Sequence, residues 1–595
     1  MLVHAEYGNT TAPGSGNVAS LQAAVNFPVS ANSALRLSTF FTRQDAFVKD
    51  LAQDQNLGNT SYGGRVKYLW EPTEAVRLTL AGDYQHSKGR GDGVFVHSYT
   101  APGGLIATIN AANGITASPT NNLLATDGLG YLVSKVYGGQ LKAEVDVGGG
   151  FTLTNILAYR KFRQRMASPI DITTADIFNN NEGGYDYRQT TEEIRLSSPA
   201  TSRFSFQLGL FYLNLRAKQY LLQGANLGLP VPPGLSFAGG FLDQTARTKS
   251  YAGFFEGQFE ISDAVRLTAG GRYTHDVISL RDKITNPSAV IPLYPNIDFD
   301  VSTKQNNFSY RFGVDYDVAP DVLAYATYSR GYKGPTFDQL SGARVAPEIP
   351  KSIEVGLKST LFDRRLRLNI ALFDTKYDGF QTLAQAPGLS AGFVTLNAGQ
   401  LKTRGVEVEY NALLAEGLKL SGGVTYNNTE YKNLKNVPCY YGQPTGTSGT
   451  NVCRPNGTTD VSGNQLANAP RWSMNSTVRY ERPVSGDWVG FVQGDVYYRT
   501  SAYFTQTRDQ QTRINGNAII GLSFGAHTAD DRLTITAFVR NLFDKRVPTY
   551  AIADPVATVY TGPAGVTDAA LGGDYWHNFG PNSYRTIGVT LNYRM

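Results

Sequence analysis

The stretch "AVRLTAGGRYTH", residues 264–275, decides the fold. Along it Val265, Leu267, Ala269 and Tyr273 fall on one side of an extended chain, and Arg266, Thr268, Arg272 and Thr274 fall on the other. A helix would spread those apolar residues around its circumference. A strand gathers them on one face, because successive side chains point in opposite directions. The same period of two returns in "RRLRLNIAL" (364–372), "RGVEVEY" (404–410) and "DRLTITAFVR" (531–540). In the first, Leu366, Leu368, Ile370 and Leu372 oppose Arg365, Arg367 and Asn369; in the second, Val406, Val408 and Tyr410 oppose Glu407 and Glu409. Many such segments run for about ten residues or more, the length of a tilted membrane-crossing strand, whereas soluble strands are mostly about five or six.

Composition agrees with a strand-built membrane protein. The chain has 595 residues, of which 62 are Gly, 35 Tyr and 30 Phe, and only 17% are charged. Soluble chains carry about 25% charged residues. Glycine, aromatics and few charges fit strands joined by turns, with aromatic girdles where a bilayer meets water. No apolar run reaches the about 18 residues of a spanning helix, which excludes a helical membrane protein. The formal charge of +5 is small for this length and the basic residues are scattered along the sequence. A nucleic-acid footprint needs a clustered basic patch, so no nucleic-acid partner is expected.

Short links such as "EPTEA", "LAEG" and "VSGD" alternate with long Gly/Asn/Thr-rich segments at 87–131, 221–244, 281–301, 432–467 and 542–582. That rhythm is the asymmetry of a bacterial barrel with short periplasmic turns and long extracellular loops. The fold class is therefore all-β: a transmembrane antiparallel β-barrel of about 22 strands. The alternation predicts strands over 203–220, 245–261, 264–279 and 303–318, among others. Apolar residues are expected to face lipid, and Arg266, Arg272, Arg365, Arg367, Glu407 and Glu409 to face the lumen. The reverse would place arginines in lipid at a cost of about 2–4 kcal/mol each near the midplane.

Cys439 and Cys453 lie in one loop, "PCYYGQPTGTSGTNVCRP" (438–455). An even count in one loop suits a disulfide in an oxidising compartment, with two unrelated thiols as the alternative. No His stands near enough in sequence to complete a zinc ligand set. The six histidines are dispersed and form no H-E-x-x-H or paired ligand arrangement. No catalytic, cofactor or metal-binding residue is therefore expected, and the chain is read as not an enzyme. Ligand contact is assigned to aromatics in the predicted outer loops: Tyr440, Tyr441, Tyr575 and Trp576. The competing reading is an interfacial girdle, where Tyr and Trp rest with apolar body and polar tip. For Tyr503 and Phe504 the girdle reading is preferred.

Several stretches resemble the β-barrel domain of TonB-dependent receptors. "VRNLFDKRVPTY" (539–550) resembles the family's penultimate-strand box and "YSRGYKGPTF" (328–337) its mid-barrel strand and loop. "PEIPKSIEVGLKSTLFDRRLRLNIALFDTKYDGFQ" (347–381) is similar to its long central hairpin. "EEIRLSSP" (192–199), "KSYAGFFEGQFEISDAVRLTAGGRYTH" (249–275) and "NAGQLKTRGVEVEY" (397–410) fit as well. Each motif alone is weak, but they follow one another in family order over most of the chain. The resemblance implies a barrel around an N-terminal plug, placed in the cell outer membrane of a Gram-negative type. It implies import of a scarce nutrient, above all a ferric siderophore, energised through TonB and a short box ahead of the plug.

"VHAEYGN" (3–9) resembles the family's first barrel strand. The expectation is thus that residues 1–595 are the barrel, with signal peptide, TonB box and plug missing from the sequence. The partners implied are outer-membrane lipid, a small ligand such as a ferric siderophore, and the TonB complex only if the full gene product carries a plug and TonB box. The competing functions are a plugless passive pore and a surface-exposed structural or adhesin barrel.

Overall fold

A computed structural model of the chain describes residues 1–13, 16–53, 58–90, 95–128, 130–200, 202–226, 236–286, 289–292, 294–385, 393–397, 399–554 and 573–595. The main sheet holds 23 strands. One of them, Ala289–Pro292, is a short parallel flap on Ser236–Ser262. The remaining 22 strands form one closed antiparallel barrel. Closure joins the first strand, Leu2–Thr10, to the last, Thr586–Arg594, in unbroken register from Leu2↔Arg594 to Thr10↔Thr586. The seam is tied by Arg540, which reaches across the last strand to grip Glu6 with two hydrogen bonds of 2.7 Å. Closure leaves no free sheet edge, which a lipid environment requires.

Each strand expected from the alternation is present. Exposed apolar side chains recur at every second position, as at Phe308, Phe312, Val314, Tyr316 and Val318, and make up the lipid-facing belt. The buried apolar clusters sit elsewhere, among the loops and strand ends at the long-loop end. Arg266 faces the lumen and is locked to Asp317 by contacts of 2.5 and 3.0 Å. Arg272, also inward, lies over the rings of Phe211 and Phe254. Arg365 is a correction: it lies in the short turn before its strand and donates to the carbonyls of Leu413 and Leu414, where it closes the next hairpin rather than lining the lumen.

A second correction concerns strand height. The segments 221–244 and 281–301, read as loops, are largely strand. Pairing runs through Phe204–Ala225, Ser236–Ser262, Val265–Thr285 and Ile297–Ala319. At about 3.3 Å per residue, the 27 residues of Ser236–Ser262 far exceed what a hydrocarbon core needs. Above the belt, outward positions need no apolar side chain, so the hydrophobic alternation ends while the backbone ladder continues.

The abundance of glycine has a packing cause. Aromatic rings lie across the backbone of a glycine on the neighbouring strand, where a Cβ would occupy the ring's place. A Cβ on Gly356 would stand 2.4 Å from the Tyr325 ring, one on Gly209 2.3 Å from Phe254, and one on Gly588 2.5 Å from Phe538. Glycine within a strand marks such a close approach.

Candidate functional site

The long-loop end carries a canopy in which four segments, distant in sequence, converge. The first is the loop after Leu418–Tyr431. Its base is apolar, with Tyr431, Leu434, Val437 and Val461 buried together. Val437–Pro438 pairs with Thr458–Thr459, and a disulfide joins Cys439 to Cys453 with Cα atoms 5.6 Å apart. The Tyr440 amide donates to Gln443 Oε1 (3.1 Å), and Gln443 Nε2 donates to Thr459 (3.0 Å). These contacts hold Tyr440 and Tyr441 at the loop's tip.

The second segment pairs Ala502–Tyr503 with Arg513–Ile514 around the buried Asp509. Asp509 caps the short turn Gln510–Thr512 by accepting the Gln511 amide at 3.0 Å. The third and fourth segments form a three-stranded sheet of Val96–Tyr99, Tyr575–Phe579 and Pro548–Ala553. Tyr575 points toward the second segment and its hydroxyl donates to Asp509. Burial and the adjacent carboxylate push the Tyr575 hydroxyl well above its ordinary range. Burial also raises the Asp509 carboxyl. Tyr440 lies beside Asp509 and Tyr503 and is raised chiefly by burial. Arg508 stands over the Tyr503 ring at 5.1 Å.

Strand parity sends Trp576 the other way. It packs with Val48, Val96, Leu124 and Ile172, and its ring meets Phe95 at 5.6 Å. Phe95 in turn meets Tyr550, and Tyr550 meets Phe504. The structure thus brings Tyr440, Tyr503 and Tyr575 together around Asp509. Tyr441 lies close over Gly573 and is 40% exposed, whereas Tyr575 and Trp576 are 3% and 6% exposed. Sequence reading missed Asp509. The only local sign was its capping position in "RDQQT", which says nothing about Tyr575.

Charged groups buried in the canopy set its pH response. His97 faces Asp554 at 3.4 Å, and Asp574 accepts the Ala101 amide at 2.7 Å. Burial raises Asp574 to about 6 and lowers His577 to about 4. His577 is therefore neutral at pH 7 and bonds the Asn121 carbonyl at 3.0 Å. Asp171 is wholly buried and accepts amides from Ile177 (3.1 Å) and Phe178 (2.9 Å), fixing a cluster that includes Ile106. Burial raises its carboxyl to about 7, with Asp127 adding to the shift. A carboxyl raised in the folded state stabilises it below the unfolded value near 3.8, and that stabilisation is lost as pH rises through about 7. Exchange of the Ile177 and Phe178 amides, corrected for intrinsic rate, is therefore expected to be faster at pH 8 than at pH 5. Asp171→Asn is expected to flatten that difference.

The disulfide acts within its own loop, which has a sequence separation of 14. Closing such a loop contributes about 3 kcal/mol by the chain-entropy estimate. In Cys439→Ser/Cys453→Ser the barrel is expected to keep its heat-resistant gel mobility, while proteolysis within 432–467 accelerates. Alkylation of two thiols in the exported wild-type chain would contradict the linkage.

A closed barrel with a lipid-facing belt, short turns at one end and a layered aromatic canopy at the other defines the class of large loop-capped transmembrane β-barrels. Residues 69–542 match the sequence model described as "TonB dependent receptor-like, beta-barrel". The chain belongs to that family of outer-membrane receptors. Over 170 residues it is 30% identical to the ferrichrome outer membrane transporter/phage receptor of Escherichia coli (strain K12), covering 28% of this chain and 20% of that protein. Over 283 residues it is 24% identical to the ferric-pyoverdine 358 receptor of Pseudomonas putida, covering 47% of this chain and 28% of that protein. The matches therefore span well under two thirds of these relatives' own length. The fold matches that of the ferric yersiniabactin uptake receptor of Yersinia pestis with a TM-score of 0.76 at 15% identity, covering 100% of this chain and 79% of that one. Family and neighbours are receptors and transporters, not enzymes.

Proposed function

We propose that the chain forms the wall and outer loops of an outer-membrane receptor for a ferric siderophore. TonB supplies the energy for uptake, acting through a plug and TonB box of the full gene product. The family match over residues 69–542 carries this reading, and the ligands named for the ferrichrome and ferric-pyoverdine relatives support it. In this reading Tyr440 and Tyr441 present flat aromatic surface to the ligand at the loop tip. Tyr575 backs Tyr440 through Asp509, and Trp576 anchors the sheet beneath them.

The test is growth of a deletion strain under iron limitation on a panel of ferric hydroxamates, catecholates and carboxylates, with labelled-iron uptake measured in parallel. Loss of one chelate, restored by the full gene only when TonB is present, is the expected result. Restoration without TonB would favour the passive pore, and unchanged growth on every chelate would defeat the proposal. On the chelate identified, Tyr440→Ala with Tyr441→Ala is expected to weaken binding about tenfold, the scale of lost aromatic contacts.

A further inference from the structure

One flank of the barrel carries a band of cations on its outer surface. Lys161, Arg188, Arg216 and Arg247 are successive Cα partners across Thr152–Ala167, Asn180–Ser197, Phe204–Ala225 and Ser236–Ser262. They form one cross-strand row on one face. Like charges placed directly opposite in a sheet repel. The row is repeated on either side by Arg163 and Lys218, and by Lys249.

The face is external. Inward neighbours at this height are buried under the canopy, with Gln244 at 6%, Ser250 at 7% and Asp282 at 0% exposed. The alternate positions Arg163, Arg188, Lys218, Arg247 and Lys249 are exposed. Register in these pairings is unbroken at this height, so the parity that points Leu157 and Leu210 to lipid also governs the cations.

Height identifies the partner. Along each strand the outward face passes from apolar residues to tyrosine and then to cations: Tyr159 before Lys161, Tyr212 before Arg216, and Tyr251 beside Lys249. Outward tyrosines mark the headgroup level of a bilayer. The row therefore stands where lipid phosphates lie.

The carboxylates on this face do not neutralise it. Asp186 binds Arg163 (3.0 Å), Arg188 (3.1 Å) and Lys161 (3.7 Å). Glu192 lies lower, where it accepts from Asn155, and Glu182 and Asp243 lie higher. Among the described residues Arg216, Lys218, Arg247 and Lys249 have no ion-pair partner, and Arg216 Nε is buried without a hydrogen bond. Another flank also carries a basic row, Lys351, Lys376 and Lys402. There each ammonium has a carboxylate, at 3.0, 3.3 and 2.9 Å.

We propose that the flank Thr152–Ser262 binds phosphorylated lipid of the surrounding outer leaflet, the cation row bridging phosphates of its headgroups. The proposal rests on the barrel spanning the membrane and not on the identity of the transported ligand. The folded chain in neutral detergent is mixed with bisphosphorylated lipid A, dephosphorylated lipid A or inorganic phosphate, and bound lipid is counted by native mass spectrometry. The wild type is expected to retain bisphosphorylated lipid A, and less of it as salt rises. Arg188→Gln/Arg216→Gln/Arg247→Gln is expected to lose roughly a hundredfold in affinity, given the attraction of each basic residue to an anionic surface. Lys351→Gln/Lys402→Gln is expected to match the wild type.

Heat-dependent gel mobility confirms folding of each variant, and Arg247→Gln alone, expected to lose about fivefold, serves if the triple variant does not fold. Equal retention by the row variants, or equal retention of dephosphorylated lipid A, would overturn the proposal. So would displacement of the lipid by millimolar inorganic phosphate, which would mark a free-anion site.

Discussion

Gly405→Val is expected to abolish barrel formation, or to lower its urea midpoint further than the loss of any single side-chain hydrogen bond in the wall. A Cβ at this position would stand 2.0 Å from the Tyr426 carbonyl oxygen and 2.7 Å from the Phe373 ring. The ring can rotate away, but the carbonyl belongs to the neighbouring strand, Leu418–Tyr431, and cannot move without breaking the pairing Gly405↔Asn427. Overpacking costs about 1–3 kcal/mol where side chains can relax, and more where backbone must shift. Gly405→Val/Phe373→Ala is expected to recover part of the loss, because it relieves the ring and leaves the carbonyl. Refolding into lipid or detergent, followed by the heat-modifiable gel shift, reads the outcome. A Gly405→Val chain that folds with an unchanged midpoint would show that the strands separate there at little cost.

Asn541→Ala is expected to cost about 3 kcal/mol, near 1 kcal/mol for each of three buried hydrogen bonds, with a further penalty for Ala in left-handed backbone. Asn541 is 2% exposed at φ 50°. Its Oδ1 accepts the Lys545 amide at 2.9 Å, and its Nδ2 donates to the carbonyls of Lys545 and Asn582 at 3.0 Å each. One side chain thus closes the turn after Leu533–Arg540 and pins the chain entering the last strand. Next to it Asp544, also left-handed at φ 50°, accepts the Thr11 hydroxyl (2.6 Å) and the Arg585 amide (2.8 Å), tying the first strand's end to the same knot. Asn541→Gly separates the contributions: it keeps the backbone conformation and loses the hydrogen bonds. A midpoint for Asn541→Ala within error of the wild type would remove this turn from the barrel's stability.

The barrel is legible in the sequence because lipid and lumen impose opposite demands on alternate positions, as Val265 and Leu267 against Arg266 and Thr268 show. Strand height is not legible. Above the lipid, outward positions become Arg247 and Lys249 while inward ones become Gln244 and Ser250, so the pattern disappears although the pairing goes on. The cysteine pair is readable because both members lie in one loop. The grouping of Tyr440, Asp509 and Tyr575 is not, because loops from three distant hairpins supply it. Tyr575 and Trp576 look like one aromatic feature in sequence, yet strand parity turns one toward Asp509 and the other into an apolar cluster. The basic flank stayed hidden for a related reason. Lys161, Arg188, Arg216 and Arg247 are scattered along the chain and meet only through cross-strand register.

The glycine-and-ring pairs have a consequence for how such a wall changes over generations. Gly356 with Tyr325, or Gly209 with Phe254, is a single object made of two residues on adjacent strands. Enlarging the glycine alone evicts the ring, and trimming the ring alone leaves bare backbone. The neutral route runs through both positions exchanging together. The wall therefore drifts by couples, and homologous barrels should preserve or lose each couple as a unit while the residues between them vary freely.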